Sequence, residues 1–150
     1  MNLSAAMRIL ERRHNAVFSI HILHPVFLES EALHLTPDQY LHHGEFCRHT
    51  KMHGQLTVCT RNKDRSLEIA RKGRFFSGLC PFGIWDSACP VLHGGELFAV
   101  IYAGSGRPAG KRIDWDGPQP PEITPEKAAG LRRASLFLKE LILLEIELRE

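Results

Sequence analysis

A chain of 150 residues is the size of one domain, and a fold of that length buries about 68–70% of its unfolded surface, enough for a core without disulfide staples. Its 12 Gly and 9 Pro exclude collagen-like and low-complexity classes, and its Leu, Ile, Val and Phe stand above the roughly 20% below which disorder is expected. Nineteen Lys and Arg against 17 Asp and Glu leave a formal net charge of +2, too even for a nucleic-acid footprint, so the oddity to explain is nine His beside four Cys, side chains of metal and redox chemistry.

The segment from Met1 to Arg8 has no basic region followed by an apolar run, and no stretch approaches the 18 or so apolar residues of a membrane span. A cytoplasmic protein is expected, in which Cys47, Cys59, Cys80 and Cys89 are thiols or ligands rather than disulfides. Leu3, Met7 and Leu10 recur at helical spacing, with Asn15 as the stop. The β-branched and aromatic run from Val17 to Leu23 predicts a strand ending before Pro25. Thr36-Pro37-Asp38-Gln39 reads as a capping box opening a helix that runs through Phe46 and Cys47 to about His53. A further helix over about 59–72 ends at Gly73.

Beyond Arg74 the period changes. Two strands are expected before Leu92, interrupted at Pro81 and Gly83, and His93-Gly94-Gly95-Glu96 predicts a tight hairpin into a central strand from Leu97 to Ala103. Residues 104–121 read as a Gly/Pro-rich loop anchored by Trp115. Thr124-Pro125-Glu126 opens a final helix that keeps apolar residues almost to Glu150. The order describes one α+β domain, with a core over about 15–123, an antiparallel sheet with flanking helices, and a long C-terminal helix over about 125–150. That helix carries more apolar surface than one small domain needs, so a homodimer through it is expected.

Taken in order, Phe46-Cys47, Cys59, Cys80-Pro81-Phe82-Gly83, Cys89-Pro90-Val91 and Tyr102-Ala103-Gly104 resemble the PocR sensory domain over about 46–104. The resemblance implies a PAS/GAF-like fold. It also implies a place in bacterial transcriptional regulators, often ahead of an AraC-type helix-turn-helix domain. The output domain would lie outside these residues, so the chain itself is not expected to bind nucleic acid. Domains of that family are thought to sense short diols, alcohols and similar molecules. Where many relatives carry His after the Cys equivalent to Cys80, this chain has Pro81 and Phe82, which make that wall more apolar.

The resemblance and the residue types together place a small-molecule pocket between the sheet and the helices carrying Cys47 and Cys59. Phe46, Phe82, Trp85 and Tyr102 are expected as apolar walls, and Cys47, Cys59 and Cys80 as partly pocket-lining thiols that could equally pack as small hydrophobes. Lys51, one turn beyond Cys47, could bond a ligand hydroxyl or carboxyl or lower the Cys47 thiol pKa. The alternative is a metal or redox sensor in which Cys47, Cys59 and Cys80, with Cys89 or a His, hold zinc or an iron–sulfur cluster. Otherwise no cofactor is expected. The His residues are read mainly as solvated: His42 and His43 on a helix, His21 and His24 at a strand end, His93 at a turn, and His49 with His53 on one helix face. Cys80 has neither a helix N-terminus nor an assignable base, so no catalytic residue and no enzyme activity are expected.

Overall fold

The computed structural model describes residues 2–150. Helix α1 spans Leu3–His14; the Asn2 side chain accepts the Ala5 N–H at 2.8 Å, and Asn15 closes the helix in the left-handed region at φ 46°. Strand β1 is Val17–Ile22, and a short helix α2, Val26–Glu29, follows. Helix α3, Glu45–Thr50, passes through a wide turn over Lys51–Gln55 into α4, Leu56–Ala70. Strands β2 (Phe76–Leu79), β3 (Trp85–His93) and β4 (Glu96–Pro108) come next, then β5 (Glu122–Ile123) and helix α5 (Pro125–Leu148).

The sheet order is β1-β4-β3-β2, antiparallel throughout, with β5 added in parallel beside the end of β4. The β3–β4 hairpin turns at Gly94 and Gly95, both at positive φ, as the Gly-Gly pair predicts. The fold is therefore α+β, with an antiparallel sheet between two helical layers and a long C-terminal helix.

Period-two alternation along β4 sends its side chains to two different environments. Ala99, Ile101 and Ala103 join Phe18 and Ile20 of β1 beneath α1 and α5, where Leu131, Leu138 and Ile142 are fully buried. Val100 and Tyr102 face the other way, with Ala88 of β3, toward Leu67 and Ala70 of α4. A third cluster, Phe46, Cys47, Ile84 and Ile113, includes Trp115, whose ring meets Phe46 edge-on at 5.4 Å. The loop is thus anchored by that tryptophan as expected.

Three segments depart from the sequence reading. The Thr36 capping box forms, with Gln39 Oε1 accepting the Thr36 N–H at 3.0 Å, yet it opens only a single 3₁₀ turn, Pro37–Tyr40. Tertiary bonds hold that turn to α1: Gln39 is fully buried and donates to the Ser4 carbonyl, and Arg8 donates to Thr36. The chain then runs extended at Leu41, and the helix restarts at Glu45 after Gly44. Helix α4 begins at Leu56 rather than near Cys59, because Gly54, at φ +85°, kinks the chain within one turn and lets the helix resume. Strand β4 runs past Gly104 to Pro108. At its register shift Gly104 adopts φ +143° against the Trp85 ring, which a Cβ there would meet at 2.9 Å.

Candidate functional site

Between β2–β4 and the α3–α4 layer the packing leaves a cavity of about 480 Å³. That is within the range of small-molecule sites. Phe46, Phe76, Phe82 and Ile84 line its interior. Leu41, Leu56, Ile69 and Leu79 also line it, yet are exposed, up to 57% for Leu56 and Leu79. The opening is thus rimmed by apolar side chains in contact with water.

Polar groups gather around Tyr102 on β4. Its hydroxyl pairs with Ser66 Oγ of α4 at 2.8 Å. The His42 ring stands edge-on to the Tyr102 ring at 5.3 Å, and the Lys63 ammonium lies 5.8 Å from the ring centre. His42 Nδ1 is 3.3 Å from the Asp86 carboxylate on β3. The His42 carbonyl accepts a bond from Lys51 Nζ at 2.9 Å. Asp86 is held from below, because Ser105, at φ +51° in the β4 irregularity, donates its backbone N–H to the carboxylate at 3.0 Å. The acid therefore satisfies an amide that the sheet ladder leaves free.

Burial sets the ionisation of this group. His42 and Asp86 keep 23% and 16% side-chain accessibility, and both line the cavity. Desolvation pushes Asp86 up to about 7, against the opposing pull of the Ser105 bonds and the two lysines. The same desolvation, helped by Lys63 and Lys51, brings His42 down to about 3. Burial therefore disfavours the charged form of both groups, leaving His42 neutral and Asp86 only partly ionised near neutrality rather than a separated ion pair. Burial, and then Lys51, lowers Lys63 as well. Among the described residues neither Lys51 nor Lys63 has a salt-bridge partner, and His42 Nε2 is a buried atom without a hydrogen bond.

Seven of the eight residues singled out from the sequence line this cavity: Phe46, Cys47, Lys51, Cys59, Cys80, Phe82 and Tyr102. Trp85 does not. It points to the opposite side of β3 and packs against the α1–α5 core beside Gly104, since neighbouring strand residues face opposite ways. Lys51 does not activate Cys47: burial, and after it the Asp86 charge, raise the thiol to about 12 against the opposing pull of Lys51. Burial also raises Cys80. Cys89 lies in the α5-side core, with its thiol raised to about 11.

The histidines differ more from expectation. His42 and His43 are in no helix; His42 enters the cavity, and His43 Nε2 pairs with Glu11 at 2.8 Å. His21 lines the cavity, and burial lowers its pKa. His24 stacks on Phe98 at 3.8 Å, and His93 pairs with Glu150. His49 and His53 share one face as their spacing predicts, with rings 4.1 Å apart. Among the described residues no three His, Cys, Asp or Glu side chains come together to hold a metal ion, and no helix is long and apolar enough to cross a membrane.

His42, Lys63 and Asp86 were missed in the sequence. Asp86 had a visible signal as the one acid in an otherwise apolar strand, where a buried carboxylate needs a reason to be present. No family model, curated protein or solved structure matches the chain.

Proposed function

We propose that this chain is a ligand-sensing regulatory domain that binds a small organic molecule in the cavity between its sheet and the α3–α4 layer, as its resemblance to the PocR sensory domain implies. The observation that carries the reading is the cavity of about 480 Å³, with apolar walls converging on Tyr102, His42, Asp86 and two lysines at one end. This is the composition of a small-molecule site, in which apolar area supplies affinity and a few polar groups set orientation. Binding reaches α5 through β3 and β4, which carry Asp86 and Tyr102 toward the cavity and pack their opposite faces on that helix. A ligand shifts the α5 arrangement only by its difference in affinity for the two states. In a longer regulator, that helix would pass the change to an output domain.

The output surface is the outer face of α5, and its occupant is a second copy of the chain. Phe137, Leu144 and Leu148 are exposed and Leu141 is half-buried, a 4-3-4 spacing that makes a coiled-coil seam along the flank of the stripe of buried Leu138 and Ile142. Exposed Arg133 lies toward the start of the helix and exposed Glu147 toward its end. An antiparallel pair brings these opposite charges together. Phe137→Glu with Leu144→Glu turns a dimer into a monomer in light scattering; a doubly substituted chain that stays dimeric refutes the arrangement.

Thermal denaturation with millimolar diols, alcohols and organic acids tests the ligand reading, since a molecule bound to the native state raises the melting temperature. A rise with at least one class is expected, abolished by filling the cavity with Cys59→Trp. A flat panel refutes the reading.

A further inference from the structure

The unpaired charge in the cavity goes further than a generic small molecule. Lys51 and Lys63 lie on successive helical segments, and both face the cavity near Tyr102. Among the described residues no carboxylate forms a salt bridge with either ammonium. Two neighbouring, partly desolvated cations repel each other and lose hydration, a cost that a fold seldom retains without a counter-ion. The other charged groups on the wall leave that cost in place. Asp64 and Arg65 are exposed and offset each other, while His21 and His42 are held neutral by burial. Asp86, beside His42 and bonded to the Ser105 amide, offsets at most one lysine and is only partly ionised near pH 7. The polar end therefore carries a net charge between one and two positive. The apolar walls are Phe46, Phe76 and Phe82, and the mouth exposes Leu56 and Leu79.

We propose that the cavity takes an amphipathic monocarboxylate, its carboxylate bridging the Lys51 and Lys63 ammonium groups and its aryl or medium-length alkyl body lying between the phenylalanines and the apolar rim. This inference rests on the reading of the cavity as a ligand pocket and adds the charge and shape of the ligand. A monoanion matches the net charge of the polar end, whereas a neutral alcohol leaves both ammonium groups uncompensated. Charge-assisted bonds to two lysines are stronger than the neutral bonds a hydroxyl could make there. The apolar body removes from water the leucines that now rim the opening.

The test compares matched pairs of probes on the unmodified chain by isothermal titration at pH 7.5: 4-phenylbutyrate against 4-phenylbutan-1-ol, and octanoate against octan-1-ol. The carboxylates are expected to bind at least about tenfold more tightly than their alcohols. Lys51→Met and Lys63→Met are each expected to erase most of that preference while leaving alcohol binding in place. Lys63→Met removes a partly desolvated charge with no salt-bridge partner, so its melting temperature is expected to stay level or rise, whereas Lys51→Met also loses the bond to the His42 carbonyl and is expected to melt slightly lower. Equal affinity for acid and alcohol, or a preference that survives both lysine substitutions, overturns the monocarboxylate inference and leaves the pocket reading standing. Absence of binding by all four probes, together with a flat wider panel, overturns both. The comparison of acid with alcohol needs no variant, so it stands even where a substituted chain fails to fold.

Discussion

The two faces of the sheet come from the same strands and are packed in opposite ways. Toward α1 and α5, Ala99, Ile101 and Ala103 of β4 meet Leu131, Leu138 and Ile142 in one cluster that is fully shut off from solvent. Toward α3 and α4, residues one position along the strand, Val100 and Tyr102, meet a helix with only Ala70 fully buried, and the space between is the cavity. Helix α4 exposes Leu56 and Ile69, whereas the inner stripe of α5 is sealed. A face filled by complementary side chains stabilises the domain. A face that keeps both space and unpaired polar groups contributes less to stability and is available for binding.

The largest expected effect tests that contrast directly. Leu138→Ala, on the filled face, should cost about 2–5 kcal/mol in urea denaturation, the range for deleting a fully buried leucine. Phe82→Ala, on the hollow face, removes a larger side chain that already lines open space and should cost well under half as much. Equal losses at the two sites would mean that the faces do not differ in this way.

A second effect concerns the strut that joins the two layers. Glu11 of α1 accepts the Phe18 N–H at 2.9 Å and the His43 Nε2–H at 2.8 Å, and so fixes the segment that delivers His42 to the cavity. Burial alone would lower His43, but the hydrogen bond and charge of Glu11 outweigh it and raise its pKa. A raised folded value means that the pair's stabilisation is complete below the unfolded histidine pKa of about 6.5 and is lost as pH rises through the folded value. Glu11→Ala should cost about 1.5–3 kcal/mol at pH 6, the worth of hydrogen bonds to a charged group. The loss should shrink by pH 8.5, leaving the unpaired Phe18 amide. A penalty that grows with pH would exclude the strut.

How much of this was readable in the sequence divides along the same lines. The α5 layer was legible because Leu131, Leu138 and Ile142 repeat at helical spacing and Thr124-Pro125 marks the helix start. The β3–β4 hairpin was legible from Gly94-Gly95. The apolar part of the cavity was legible as well, since Phe46, Phe82 and Tyr102 sit in an ordered constellation with the cysteines. Its polar part was not. The sequence points to a helix at His42 because the local capping signal at Thr36 is genuine, and nothing local announces that Gln39 bonds to Ser4, 35 residues away, where the helix stops. Lys63 looks like any lysine on a polar helix until the sheet is laid under it. Trp85 departs from the expected wall for the opposite reason: next to Asp86, it shares the strand but not the face.

The smallest effect in the unmodified chain is a cancellation, and breaking it isolates the hollow face. Asp86, raised to about 7 from its ordinary value near 3.8, holds a proton in the folded state that the unfolded chain has released, so its contribution to stability falls between about pH 4 and 7. His42, lowered to about 3 from 6.5, has lost a proton in the folded state that the unfolded chain keeps, so its contribution rises between about pH 3 and 6.5. Over the shared window one group gains the proton the other gives up, and the pair as a whole adds almost no slope. Single substitutions separate the two halves. Relative to the unmodified chain, Asp86→Asn should become progressively more favourable as pH rises from 4 to 7, since the amide still accepts the Ser105 N–H and no longer titrates. His42→Phe should become progressively less favourable over the same range. Urea denaturation at half-unit pH steps measures both differences. Slopes of the same sign for the two variants would contradict the opposite shifts of the acid and the base; flat differences would mean that water reaches them as freely as it reaches the exposed surface. Opposite slopes are expected, because one desolvated environment disfavours the charged form of both an acid and a base that stand 3.3 Å apart.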